Sequence, residues 1–182
     1  MNIEEQKILP ALSNFKSIKE FIKSSIEYCI LVDFQLAELE DIICELKENN
    51  KKVLVHIDLI KGLATNEYGA IFLIQKLHVD GIVSTKHQPI LVAKKRKVIS
   101  IQRIFLKDSL SLDKSLTVVN KVKPDYLEIM PAISNSILTT IIERTNLKVF
   151  CGGLIQSKAE IDNCLKNGAI GVTTSNIELW QK

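Results

Sequence analysis

The amino-acid sequence predicts an α/β protein in which eight parallel strands close into a short (β/α)8 barrel of the TIM type. First, short apolar runs alternate with amphipathic segments along the whole chain. Second, successive runs begin about 23 residues apart, a repeat that suits right-handed strand–helix–strand units. Third, the 182 residues are 46% apolar and 25% charged, as in one globular domain. We therefore expect residues 1–182 to form a single barrel domain.

The predicted strands are eight short runs rich in Ile, Val and Leu. They lack the alternation of apolar and polar residues that is typical of half-exposed strands, so they suit a sheet buried on both faces. The alternative, an open doubly wound sheet, normally has a Gly-rich fingerprint after its first strand, and residues 8–11 do not supply one. The eight runs cover residues 8–10, 28–33, 52–58, 81–84, 98–103, 126–130, 148–151 and 170–173.

The segments between the runs are the predicted helices. In residues 36–46, apolar side chains recur at three- and four-residue spacing, which gives one apolar face. Another helix is expected to begin after Ser134 and Asn135, which are suitable capping residues. Residues 88–97 give the weakest helical pattern. A last helix is expected to open at Asn176, where its unpaired N–H groups favour an anion.

Composition and charge exclude several classes of protein. The net charge of +3, from 24 basic and 21 acidic residues, is too small for a nucleic-acid coat protein. The four cysteines form no C-x-x-C pair, so we expect neither a disulfide framework nor a metal site. The chain has no signal-peptide start and no apolar stretch of roughly 20 residues. We therefore expect a cytoplasmic protein that makes no contact with membranes.

Polar and charged residues follow nearly every predicted strand. In a barrel, the carboxyl ends of the strands meet at one rim, where ligands bind. Charged groups buried there need a polar ligand or close pairing, so their convergence favours a binding cavity. The candidate cavity residues are Asp33, His56, Asp58, Arg103 and Glu128.

Each of these five residues also has a structural interpretation. Asp33 is suited to capping the next helix. His56 alternates in phase with Asp58, so both are expected to face the same side, but His56 is also compatible with a core position. Arg103 and Glu128, on neighbouring strands, are able to form an ion pair that serves stability alone.

The most specific local pattern lies after the last two predicted strands. Phosphate sites in such barrels form from these two loops and a helix N-terminus. Glycines let backbone N–H groups approach phosphate oxygens, and hydroxyl groups add donors. The alternative is that the glycine pair is only a tight turn and Ser175 only a helix cap. The candidate phosphate-binding residues are Gly152, Gly153, Thr173, Thr174 and Ser175.

The densest charge cluster consists of Lys94, Lys95, Arg96 and Lys97. It precedes the fifth predicted strand, which places it at the amino-terminal rim, opposite the cavity. Such a run is typical of a solvated helix end, where cations complement the helix dipole. Its functional interpretation is contact with the phosphate backbone of RNA.

Six ordered blocks, together with the start of the chain, resemble the glycerol-3-phosphate-responsive antiterminator family. HIDLIKGL, at residues 56–63, is similar to the family's HVDLIxGL block. Lys86 departs from the pattern because an Arg is common there, and Lys keeps the charge but loses bidentate anion binding. The similarity extends over nearly the whole chain, at residues 8–11, 56–63, 80–86, 101–109, 125–131, 151–155 and 172–180.

The resemblance implies a barrel that senses glycerol-3-phosphate and acts on the leader mRNA of glycerol-utilisation genes, where it prevents premature termination. It implies an effector ligand rather than a cofactor and no catalytic residues, and it is compatible with a homodimer. The five cavity candidates would then contact the glycerol hydroxyls. Two alternatives remain open at this point. One is an isomerase, aldolase or lyase acting on a phosphorylated sugar or polyol, and the other is a regulator that acts through a protein partner.

Overall fold

A computed structural model describes residues 2–132 and 135–180 and confirms the predicted barrel. Eight strands pair in parallel in chain order, and the first pairs with the last, so the sheet is closed. The strands are β1 (Ile8–Leu12), β2 (Tyr28–Leu31), β3 (Lys52–His56), β4 (Gly81–Ser84), β5 (Ile99–Phe105), β6 (Tyr126–Met130), β7 (Lys148–Gly152) and β8 (Gly171–Thr174).

The helices surround this barrel and connect consecutive strands. Three of them begin with a reciprocal capping box, at Asn14, Asp108 and Ser157. Caps of this kind are each worth about 1 kcal/mol. No helix in the described ranges has the length and apolarity needed to cross a bilayer. The α-helices are α1 (Phe15–Lys23), α2 (Leu39–Glu48), α3 (Glu67–Gln75), α4 (His87–Lys95), α5 (Ser109–Val122), α6 (Asn135–Thr145) and α7 (Lys158–Lys166).

Alternating residues of each strand fill two different cores. On β3, for example, Leu54 packs inside the barrel, whereas Val53 and Val55 pack outward against the helices. Both faces of the strands are therefore buried, which explains why the runs read as continuously apolar. The interior layer consists of Ile3, Leu9, Ile30, Leu54, Val83, Ile101, Tyr126 and Phe150.

Two predicted strands end earlier than the sequence indicated. Strand β2 stops at Leu31, and Asp33 takes a left-handed φ of 63°, which extended strand geometry excludes. Strand β3 stops at His56, because a 3₁₀ turn follows at Ile57–Leu59. The prediction that His56 and Asp58 alternate on one strand face was therefore wrong.

In the part of the chain that the structure describes, the prediction of a last α-helix opening at Asn176 was also wrong. Asn176 caps a 3₁₀ turn of three residues, Ile177–Leu179, instead of a longer α-helix. The Trp180 indole N–H donates to the carbonyl oxygen of Thr174 at 3.2 Å and folds this segment back onto the end of β8. So short a turn has little dipole to offer an anion. The predicted capping residue Ser134 lies outside the described residues.

Candidate functional site

A cleft with a volume of about 710 Å³ opens at the carboxyl-terminal rim of the barrel. Among the described residues that line it, the only charged side chain is that of Arg103, and the other polar groups are hydroxyls and amides. The cleft therefore offers hydrogen-bond donors around one cation. The lining comprises Ala11, Ser13, Val32, Leu59, Arg103, Met130, Gly153, Leu154, Ile155, Gln156, Thr173, Thr174, Ser175 and Asn176.

Four of the five candidate phosphate-binding residues line this cleft: Gly153, Thr173, Thr174 and Ser175. Gly153 follows β7 with a φ of 77°, a conformation that favours glycine. Gly152 lies behind the cleft, where a Cβ atom would come within 2.2 Å of the Thr173 Oγ1 atom. The first glycine thus permits close packing, and the second shapes the wall of the cleft.

The segment after β8 is held by its own hydrogen bonds. The Asn176 backbone N–H donates to Thr174 Oγ1 at 3.1 Å, and the Asn176 side chain accepts from the Glu178 N–H at 3.1 Å. Ser175, between them, is exposed to the cleft. A hydroxyl on so well fixed a backbone is suited to binding a ligand.

A buried network of Arg103, Glu128 and Thr173 forms the floor of the cleft. Arg103 donates from Nε and Nη2 to the two Glu128 oxygens, at 2.6 and 3.1 Å. Thr173 Oγ1 donates to Glu128 Oε1. Arg103 is 7% exposed and Glu128 is fully buried. Both Glu128 oxygens are therefore engaged by protein groups, while Arg103 Nη1 has no hydrogen-bond partner in the described part of the chain.

His56 lies inside the barrel close to this network but does not line the cleft. Both of its ring nitrogens are buried without hydrogen-bond partners among the residues described. Burial, reinforced by the positive charge of Arg103, lowers the pKa of His56 to about 4. The imidazole is therefore neutral at physiological pH.

The two aspartates of the predicted cavity lie outside the cleft. Asp58 accepts hydrogen bonds from the Ser84 hydroxyl and, at 2.7 and 2.6 Å, from the backbone N–H and hydroxyl of Thr85. It thus ties the turn after β3 to the end of β4. Asp33 is exposed and pairs with Lys61 at 2.9 Å. The structure therefore brings together three of the five candidates, His56, Arg103 and Glu128.

The basic run lies at the opposite rim, as its place in the sequence indicated. Lys94 and Lys95 end α4, and Arg96 and Lys97 lead into β5 at the amino end of the barrel. Lys86 is exposed beside the first turn of α4 and does not line the cleft.

Sequence reasoning missed two polar residues of the cleft, Ser13 and Gln156. Ser13 follows β1, so the rule that strand ends supply the site applies to it. It was missed because the first run was predicted to end at residue 10, whereas β1 continues to Leu12. Gln156 lies in the loop before α7 and has no local signal in the sequence.

The chain is a TIM-type (β/α)8 barrel with a hydroxyl-rich cleft at its carboxyl rim. Aldolases of 12% identity share this architecture, which shows the fold alone. Residues 8–180 match the sequence pattern of the glycerol-3-phosphate responsive antiterminator family. The chain belongs to this family, which supports a role as a regulator of antitermination.

Three similar proteins illustrate the relationship. The glycerol uptake operon antiterminator regulatory protein of Listeria monocytogenes is 33% identical, with 99% of this chain and 97% of that chain covered and a TM-score of 0.95. A glycerol uptake operon antiterminator-related protein of Thermotoga maritima is 25% identical, with 97% and 98% covered and a TM-score of 0.84. The uncharacterized protein YgcP of Escherichia coli is 24% identical, with 98% of this chain and 93% of YgcP covered.

Proposed function

We propose that this protein binds glycerol-3-phosphate in the carboxyl-rim cleft and acts as an antiterminator on the leader mRNA of glycerol-utilisation genes. The observation that carries the proposal is the lining of the cleft, in which hydroxyl and amide groups and one arginine converge and, among the described lining residues, no side chain is a carboxylate. Glu128, beneath the lining, offsets the charge of that arginine, so the hydroxyls and backbone N–H groups are the main donors for a phosphate. Because the chain belongs to the glycerol-3-phosphate responsive antiterminator family, we expect glycerol-3-phosphate as its ligand and antitermination as its role.

The chemistry of the cleft suits a small phosphorylated polyol. Thr174 and Ser175 present hydroxyls beside the left-handed turn at Gly153, whereas the Thr173 hydroxyl proton is already donated to Glu128. Hydrogen bonds to a charged phosphate are stronger than those to neutral groups. Arg103 supplies further donors at Nη1, since its two hydrogen bonds to Glu128 come from Nε and Nη2. We assign the phosphate to the loops after β7 and β8, with Arg103 nearer the glycerol hydroxyls.

The same geometry argues for sensing rather than turnover. A general acid or base must reach the substrate with an available proton site. Both Glu128 oxygens are bound to protein donors, and His56 lies outside the cleft. No lysine in the described chain lines the cleft, so a Schiff-base mechanism lacks its amine. We therefore propose that the ligand acts as an effector and is not consumed.

Regulation then requires that glycerol-3-phosphate bind the RNA-competent state more tightly than the other state. An ordinary allosteric coupling is about 1–3 kcal/mol, which changes RNA affinity roughly 5- to 150-fold. By linkage, leader RNA must raise the affinity for glycerol-3-phosphate by the same factor.

Isothermal titration calorimetry with glycerol-3-phosphate tests the assignment of the cleft. Thr174→Val keeps the side-chain shape and removes one hydroxyl of the cleft. Because that hydroxyl also accepts from the Asn176 N–H, the Tm of the variant is measured alongside its affinity. The matched control is Thr117→Val, on the exposed surface of α5. We expect Thr174→Val to weaken binding roughly tenfold or more, which corresponds to about 1.5 kcal/mol or more for a hydrogen bond to a charged group.

Glycerol and inorganic phosphate, titrated separately, are expected to bind far more weakly than glycerol-3-phosphate. Equal binding by wild type and Thr174→Val, with both folded, would show that the ligand does not use this cleft. Turnover of a triose or pentose phosphate by the purified protein would overturn the non-enzymatic part of the proposal.

A further inference from the structure

A second groove, with a volume of about 410 Å³, lies at the amino-terminal rim of the barrel, away from the ligand cleft. Its walls are the loop between α4 and β5 and the loop between α5 and β6. The lining residues are Lys94, Lys97, Val98, Ile99, Asp125 and Tyr126.

The rim around this groove is strongly basic. Asp125 is the one acidic residue among its described lining residues. It is held by Lys94 at 3.2 Å and by the N–H and hydroxyl of Ser100 at 2.9 and 2.6 Å. Its charge is therefore offset within the protein. Five further exposed cations on the two loops and the helix ends beside them make no ion pair in the described part of the chain: Lys95, Arg96, Lys97, Lys121 and Lys123.

Two of these lysines occupy backbone positions that disfavour lysine. Lys97 has a φ of 59° and Lys123 a φ of 49°, both in the left-handed region just after a helix. Glycine and asparagine are the residues that normally fill such positions, because a Cβ atom is strained there. Three equivalent loops of this barrel have them, at Asn50, Asn146 and Gly168, and another has His78, with a φ of 52°.

A lysine is stabilised by the helix dipole mainly when it lies in the last turn of the helix. The dipole therefore does not explain a lysine at the strained position that follows this turn. Backbone strain of this kind is enriched at functional sites, but His78, with a φ of 52° in the equivalent loop after α3, shows that the position alone does not require a function. Lys97 and Lys123 differ from His78 in that both are exposed lysines on the two loops that form the groove.

We infer that this groove binds the phosphodiester backbone of RNA, an inference that rests on the proposed function and assigns its RNA surface. Several exposed cations on two neighbouring loops suit the negative charges of a nucleic acid backbone. Tyr126 is buried, and its hydroxyl donates to Glu4, so it is not available for stacking with a base. The groove therefore contacts phosphates and does not read bases.

In this assignment the ligand and the RNA occupy opposite ends of the barrel. The cleft lies at the carboxyl-terminal rim, and the groove with its exposed lysines lies at the amino-terminal rim.

Strands β5 and β6 connect the two sites directly. Ile99 lines the groove and Arg103 lines the cleft, about 13 Å further along β5 at the usual rise per residue. On β6, Tyr126 lines the groove and Glu128 binds Arg103. A ligand that shifts the Arg103–Glu128 pair therefore acts on the same two strands that carry the groove.

Fluorescence anisotropy with a labelled glycerol-operon leader RNA, measured at several salt concentrations, tests this inference. The variant is the double substitution Lys97→Gly with Lys123→Gly, which removes two cations and relieves the strained backbone. We expect the Kd for RNA to rise roughly tenfold, and the slope of log Kd against log salt to fall by about 1–2. The Tm is expected to stay the same or to rise, because glycine prefers this conformation.

Two controls separate charge from backbone effects. His78→Gly changes a residue with a φ of 52° after α3 and leaves the groove intact. Lys19→Ala with Lys114→Ala removes two exposed cations from α1 and α5 outside the groove. Both are expected to keep wild-type affinity for RNA.

The outcomes distinguish the two proposals. Wild-type protein that fails to bind leader RNA, with or without glycerol-3-phosphate, would refute the proposed function itself. Wild-type binding that the double glycine variant retains, with an unchanged salt slope, would refute only the assignment of this groove.

Discussion

Arg103 and Glu128 face each other on neighbouring strands of the barrel, as a register pair of β5 and β6 joined by two hydrogen bonds. The pair is buried under the cleft, so its two charges offset each other in a region of low dielectric. Thr173, a residue of the cleft wall, adds a third hydrogen bond to Glu128. The ligand site and the barrel core are therefore built from the same side chains.

Glu128→Gln is expected to destabilise the protein by about 3–5 kcal/mol, because it leaves the Arg103 charge buried without its counter-ion. Denaturation by urea, followed by circular dichroism, measures the change. The control is Asp113→Asn, which breaks the exposed pair with Arg144. Exposed pairs contribute at most about 1 kcal/mol, so the control should unfold nearly as wild type does. Equal losses in both variants would contradict the structural role of the buried pair.

Gly152→Ala is expected to destabilise the protein by about 1–3 kcal/mol and to weaken binding of glycerol-3-phosphate. A Cβ atom at this position would lie 2.2 Å from Thr173 Oγ1 and 3.0 Å from Glu128 Oε1, so the network must shift. Thermal unfolding and calorimetry measure the two effects. Gly62→Ala is the comparison for steric contact, because its added Cβ meets only one atom, at 3.7 Å. The φ of 87° at Gly62 strains an alanine, whereas Gly152 has no left-handed φ. If folded Gly152→Ala binds glycerol-3-phosphate as tightly as wild type does, the buried network does not support the ligand site.

The buried neutral His56 predicts a loss of stability in acid. Its folded pKa of about 4 lies below the ordinary value of 6.5, so the unfolded chain takes up the proton first as the pH falls. The stability is complete above pH 6.5 and declines as the pH approaches 4. The total loss is about 3 kcal/mol, on the scale of 1.36 kcal/mol per pKa unit.

His56→Leu tests this pH dependence because leucine fills the site without titrating. Between pH 7 and pH 4, wild type should lose about 3 kcal/mol more of its unfolding free energy than His56→Leu loses. Parallel pH profiles for the two proteins would show that His56 is not the titrating group.

The sequence predicted the barrel well because each strand is buried on both faces and reads as an apolar run. It also predicted Gly153, Thr173, Thr174 and Ser175 as neighbours, because consecutive parallel strands bring their carboxyl ends to one rim. The early ends of β2 and β3 were not predictable. Strand β2 ends because Asp33 adopts a left-handed conformation, and β3 ends because a 3₁₀ turn begins at Ile57. The residue types at these positions do not by themselves determine those conformations.

Asp33 and Asp58 illustrate this limit. Asp33 adopts a left-handed conformation, and Asp58 enters a 3₁₀ turn that directs its carboxylate to Ser84 and Thr85. Those partners are 26 and 27 residues away along the chain, so no local pattern identifies them. Ser13 was missed for a related reason, since the length of the first strand is set by its pairing with β2 and β8.

The affinity for leader RNA, titrated with and without saturating glycerol-3-phosphate, tests the central claim most directly. We expect the ligand to tighten RNA binding by wild type roughly 5- to 150-fold, the range of ordinary allosteric coupling. For Thr174→Val, the ligand should tighten RNA binding only at higher concentration. For Thr117→Val, it should tighten RNA binding as it does for wild type. An RNA affinity that stays constant as wild-type protein is saturated with glycerol-3-phosphate would contradict the account.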